Sequence, residues 1–160
     1  KLIMSVVIVL LLLGGGYKIF DVWSNSSFNV GETKDIEFQE INKGEYSPII
    51  ERKELLIDDS DKWSMLWARM FPSTPNIPNV DFNVSEIVVI FQGEKGSGGY
   101  SLEIKKISSE NNKIKIFIDE YEPSEECMTI QVLTQPYHII EMPKTDKGVE
   151  FVYNKQVREC

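Results

Sequence analysis

Glu86-Ile87-Val88-Val89-Ile90-Phe91-Gln92-Gly93-Glu94-Lys95-Gly96-Ser97-Gly98-Gly99-Tyr100 is the stretch whose reading decides the fold. From Ile87 to Phe91 every residue is apolar, and most are β-branched. The run is too short for a core helix and is bounded by turn formers, so it predicts a strand covered on both faces. Gln92 to Gly99 is a glycine-rich loop. Beyond it Tyr100, Leu102 and Ile104 alternate with Ser101, Glu103 and Lys105, the pattern of a strand with one covered face. The whole reads as a hairpin with a long tip.

Downstream, Asn111-Asn112 turns the chain into Ile114, Ile116 and Ile118, again alternating, and residues 120–126 read as an acidic loop around Pro123. Further strands are predicted at 129–133, 137–142 and 149–153, with Thr134-Gln135-Pro136 and 144–148 as turns. Upstream, Ile36, Phe38 and Ile41 predict a first strand. Residues 49–57 predict a second, broken by Glu51-Arg52-Lys53-Glu54. Trp63, Leu66, Trp67 and Met70 fall at i, i+3, i+4 and i+7 behind Ser60 or Asp61 as cap, which predicts one short helix packed on a sheet. Pro72, Pro75 and Pro78 make the segment after it a connector. The fold class is mainly β: an antiparallel sandwich or open barrel with one packed helix.

The N-terminal residues set the expected compartment. Residues 2–17 carry no charge, a stretch shorter than the about 20 residues of a membrane span and longer than the roughly 7–15 of a secretory core. A hydrophobic helix serving as signal peptide or membrane anchor is expected over residues 1–21, a polar tether over 22–35 and the β domain over 36–160. The domain is then expected at the extracytoplasmic face of the cell membrane, or secreted if the leader is cut.

Composition narrows the chemistry. Seventeen basic against 25 acidic side chains in 160 residues give a net charge of -8, and no basic stripe offsets it, so nucleic acid is excluded as a partner. Two cysteines and one histidine cannot form a zinc cluster. Asp119, Glu120, Glu122, Glu125 and Glu126 lack the spacing of a calcium loop and read as a solvated face. His138 sits in an apolar strand, and neither Ser97 nor Cys127 has a nucleophile's sequence context. The glycine loop enters a strand, not a helix, so it does not cradle phosphate. No metal, no cofactor and no catalysis are expected. Cys127 and Cys160 either pair or remain thiols.

The order of several motifs resembles one known family. Val80-Asp81-Phe82, the strand 87–91, Gly93-Glu94-Lys95-Gly96-Ser97-Gly98-Gly99-Tyr100, a strand ending in Pro123, and Thr134-Gln135-Pro136-Tyr137 with Pro143-Lys144 are similar to the PrcB C-terminal domain family over about residues 36–144. Ser97 stands where Thr is common in that family's G-x-K-x-T-G-G-Y-like loop, and keeps the hydroxyl. The family takes its name from an accessory subunit that associates with a secreted subtilisin-type protease and stabilises it. The resemblance therefore implies a non-enzymatic partner of an exported protease or its precursor. A looser likeness links Gly96 to Tyr100 and Gln135-Pro136-Tyr137 to two loops of chagasin-type protease inhibitors, with Gln135 and Tyr137 in place of Arg and Trp.

The loops carry a physical reading of their own. Glycines permit positive φ and close backbone approach, and tyrosines are enriched at protein interfaces. Gly96, Ser97, Gly98, Gly99 and Tyr100, with Gln135, Pro136 and Tyr137, form the expected protein-binding edge, brought together at one pole of the sandwich. Tyr100 also begins an alternating strand, a position that would place it in the core.

Overall fold

A computed structural model describes residues 33–159 of the chain. The expected leader, most of the expected tether and Cys160 lie outside the described residues. At the centre is the strand expected from Ile87 to Phe91. It is β4 (Ser85–Gln92), preceded by β1 (Lys34–Ile36), β2 (Gln39–Gly44), β3 (Arg52–Ile57) and helix α1 (Ser60–Met70), and followed by β5 (Ser101–Glu110), β6 (Lys113–Pro123), β7 (Tyr137–Pro143) and β8 (Gly148–Arg158). Two four-stranded sheets result, in the orders β1-β5-β6-β8 and β2-β7-β4-β3. The molecule is a sandwich, and α1 covers the outside of the second sheet.

This third layer explains the apolar run. Ile87, Val89 and Phe91 face Trp63, Trp67 and Met70 of α1, whereas Val88 and Ile90 face Ile104, Ile107, Ile116 and Ile118 of the opposite sheet. Alternation puts successive side chains on opposite faces, so the stretch Ile87 to Phe91, between two apolar layers, has no polar position. β5 and β6 close on Asn111 and Asn112, at φ 48° and 65°. Asparagine tolerates this left-handed backbone, which matches the twist of a tight hairpin.

Several elements differ from expectation. The first strand is two: Ile36 pairs with Ile107 in one sheet, and from Gln39 the chain pairs with β7 in the other. Ile36 and Phe38 pack between the sheets while Ile41 packs on the helix side. β3 runs unbroken through Arg52-Lys53-Glu54, because it is an edge strand whose alternate side chains reach water. The cap of α1 is Asp59, whose Oδ1 accepts from the amides of Asp61 and Lys62 at 2.9 and 3.0 Å. β6 continues into the expected acidic loop. Its Glu120 turns inward, 5% exposed, and meets the Arg52 guanidinium at 2.6 Å. Residues 129–133 form no ladder, and their expected strand is an irregular strap that leaves Ile130 and Leu133 exposed. β6 and β8 are parallel over their whole length, against the antiparallel expectation, because the chain between them crosses to the other sheet as β7.

Candidate protein-binding edge

The glycine loop is built from the end of β4 outward. Gly93 takes φ 80° and is buried, with the Arg52 amide nitrogen 3.1 Å from where a Cβ would stand. Any side chain there would be strained by its own backbone and pressed against β3. Lys95 and Thr134 exchange backbone hydrogen bonds at 2.8 and 3.0 Å, and the Thr134 hydroxyl donates to the Ser97 carbonyl at 3.0 Å. Gln135 Nε2 donates to Glu94 Oε2 at 2.9 Å, and the Gln92 amide donates to the Pro136 carbonyl at 2.9 Å. The glycine loop and the Thr134-Gln135-Pro136 turn are thus one hydrogen-bonded structure at one end of the sandwich.

Its expected residues divide by exposure. Gly96 is exposed, and nothing lies within 4 Å of the place a Cβ would take. Ser97, Tyr100 and Gln135 are half-buried, and the Lys95 ammonium lies 5.4 Å from the Tyr100 ring centroid. Gly98 and Gly99 serve the loop's own packing. A Cβ on Gly98 would come within 2.8 Å of the Ile130 side chain, and Gly99 has φ 90° beside Pro123. Pro136 is buried.

Tyr137 corrects the expectation of an exposed anchor. It is 5% exposed, its ring packs in the helix-side core 6.1 Å from that of Phe71, and its hydroxyl donates to Asn42 Oδ1 at 2.6 Å. As the first residue of β7 it takes the helix-side face, and burial holds its phenol above the usual tyrosine range. Its partner Ile139 shares that face.

Three exposed apolar residues lie where the sequence reading placed none. The Gly98 amide donates to the Ile130 carbonyl and the Glu94 amide to the Ile50 carbonyl, so Ile130 and Ile50 flank the loop. They are 68% and 56% exposed, and Leu133, just before Thr134, is 56% exposed. The signal was present in the apolar side chains of residues 129–133, but alternation alone made them a strand with a covered face.

His138 lies in the interior. It is 1% exposed between the sheets. Nδ1 accepts from the Ile104 amide at 2.8 Å, so the proton is on Nε2, which donates to Glu40 Oε2 at 2.9 Å. Burial lowers its affinity for a second proton. Cys127 is disulfide-bonded. Asp119 and Glu122 lie in β6 beside Glu120, while Glu125 and Glu126 follow it.

The architecture defines a class: a helix-backed β-sandwich with a loop-built edge at one end. Residues 87–143 match the family model described as PrcB C-terminal. The match begins in β4 and ends in β7, and so contains both halves of the edge. No curated protein and no solved structure matches the chain.

Proposed function

We propose that this chain is a non-enzymatic, extracytoplasmic protein-binding domain that acts as accessory or stabilising partner of an exported protease. The observation that carries the reading is the edge itself, lying within the PrcB C-terminal segment. There the glycine loop and the Thr134-Gln135-Pro136 turn are locked together by backbone hydrogen bonds and flanked by exposed Ile50, Ile130 and Leu133. A preformed loop pair loses little further entropy on binding, and exposed aliphatic groups beside open backbone suit a protein surface. Residues 1–21 tether the domain or direct its release.

The test is capture of the exported fraction with the full-length chain, followed by affinity measurement on the recovered protease. Ile130→Asp and Gln135→Ala are each expected to weaken binding at least tenfold, the scale of an interface hot spot of about 2 kcal/mol, with thermal midpoints unchanged. The bound protease should then survive longer at full activity. Loss of its activity on binding would instead favour an inhibitor of the chagasin type. Unchanged affinity in both folded variants would remove the edge from the reading, and protection of the domain from protease added to intact spheroplasts would remove the compartment.

A further inference from the structure

The edges of the two sheets are unequally guarded. β1 has three residues, β2 shifts register between Glu40 and Asn42, and β3 has six residues carrying Arg52, Lys53 and Glu54. Short length, bulges and charge are the devices by which edge strands avoid pairing with other chains. β8 has none of the first two. Its 11 residues, Gly148–Arg158, contain no proline and pair with β6 without a break in register from Lys113↔Gly148 to Pro123↔Arg158. Among the described residues no strand pairs with its outer side. A long, regular ladder edge is left presenting amides and carbonyls.

The sequence of β8 is complementary to itself when reversed. An antiparallel pair related by a two-fold axis keeps each residue opposite one of the same face. Centred on Asn154, such a pair sets Glu150 against Arg158 of the other copy at both ends, and Val152 against Gln156 between them. On the inward face it sets Phe151, which packs against the inter-sheet core, beside Val157, which is 61% exposed. Opposite charges and apolar pairs directly across a ladder are the stabilising combinations, and like charges are the destabilising ones. No like-charge pair arises in this register.

We infer that the chain forms a two-fold symmetric homodimer by antiparallel pairing of β8 with β8 of a second copy, making one continuous eight-stranded sheet. β8 supplies none of the residues of the loop edge, so the dimer would carry two such edges. The inference rests on β8 alone and stands whether or not the loop edge binds a protease.

Sedimentation of the full-length chain in non-ionic detergent tests it. The wild type is expected to dimerise below about 100 μM, a modest affinity for a ladder of this length. Glu150→Arg and Arg158→Glu should each weaken dimerisation at least tenfold, since each sets like charges opposite at both ends. An equimolar mixture of the two variants should restore it, because both contacts are then between opposite charges. Asn154→Cys should give a covalent dimer on mild oxidation, as the two Cα atoms on the axis lie about 4.5–5.5 Å apart, within disulfide reach. Thermal midpoints report folding, and the exposed Asn154 site decides the matter should either charge reversal fail to fold. A monomer at all concentrations, including one whose β8 is held by another protein's strand, overturns the proposal. So does a dimer that ignores both reversals and does not cross-link through position 154.

Discussion

The outer face of the sheet β2-β7-β4-β3 is packed with rings, its inner face with isoleucine. Outside, Trp63 and Trp67 lie with centroids 5.1 Å apart, Phe71 follows at 4.3 Å, and Tyr137 completes the row. Inside, Val88, Ile90 and Ile140 meet the isoleucines of β5 and β6. The rings of residues 63–71 come from one local segment, so a single amphipathic helix and its exit cover a face. The inner face needs a whole second sheet assembled from distant segments. A polar side chain crosses between the sheets there: His138 reaches from β7 to the Ile104 amide, where the β5 register shifts. An aliphatic interface tolerates sliding, and a directional bond at the bulge fixes one register.

The largest break in this comparison is expected from Trp67→Ala, which empties the ring layer. It should cost about 3–5 kcal/mol in denaturant unfolding, the range for buried aromatic truncations. Trp67→Phe should cost much less, since the indole nitrogen of Trp67 is buried without a hydrogen-bond partner while that of Trp63 donates to the Pro78 carbonyl. A loss from Phe as large as from Ala would show that ring volume, not the orphan donor, governs the layer.

His138→Ala should cost about 3 kcal/mol, combining a cavity with a stranded Ile104 amide. His138→Asn, which retains an acceptor, should recover part of it. Equal losses in the two variants would reduce the histidine to filler.

Mild acid should act on the inner face through His138. Folded His138 has its proton affinity lowered by burial, against the raising effect of Glu40, with Lys43 lowering and Glu103 raising it as the other charged neighbours. The unfolded chain therefore binds the proton first, and stability falls as pH drops below the ordinary histidine value of about 6.5 toward the lower folded one. The denaturant midpoint should decline between about pH 7 and 5 in the wild type and stay flatter in His138→Asn. Identical slopes would assign the decline to carboxylates.

The smallest effect belongs to the exposed start of α1. Asp59→Ala removes the acceptor of two amides and should cost about 1 kcal/mol by thermal unfolding. No change would mean that the ring layer holds the helix without its cap.

What could be read in advance follows the same division. The continuous apolar run of β4, the helix stripe and the Asn111-Asn112 turn are local signals, and each appears where its pattern put it. The change of sheet at Glu37-Phe38 left no local trace, because alternation continues through it and only the partner changes. Glu120 looked like one more acid in a solvated run, and its inward turn depends on Arg52, which is distant in sequence. In the loop edge, the meeting of the glycine loop with the Thr134-Gln135-Pro136 turn was legible from their places at strand ends. The burial of Tyr137 was not, since a tyrosine after proline reads equally as a loop tip or as the first core residue of a strand. Its depth is set by Asn42 and Phe71.

The parallel pairing of β8 with β6 joins segments far apart in the order of synthesis. β8 comes after every other described strand in the chain, yet its whole ladder is formed with a strand completed before the chain crossed to the other sheet. Until β8 arrives, β6 is an open edge, and the Arg52 guanidinium that will lie 4.3 Å from the Tyr153 ring has only Glu120 of the sandwich to face. In a chain that emerges from its N-terminus, β8 is the last of the described strands to become available, so the β6 edge waits for it. Pairings of such sequence separation are slow to form and leave sticky intermediates. A chaperone or a binding partner that acts at this stage would do so by occupying the place of the final strand, and release would be timed by β8 itself.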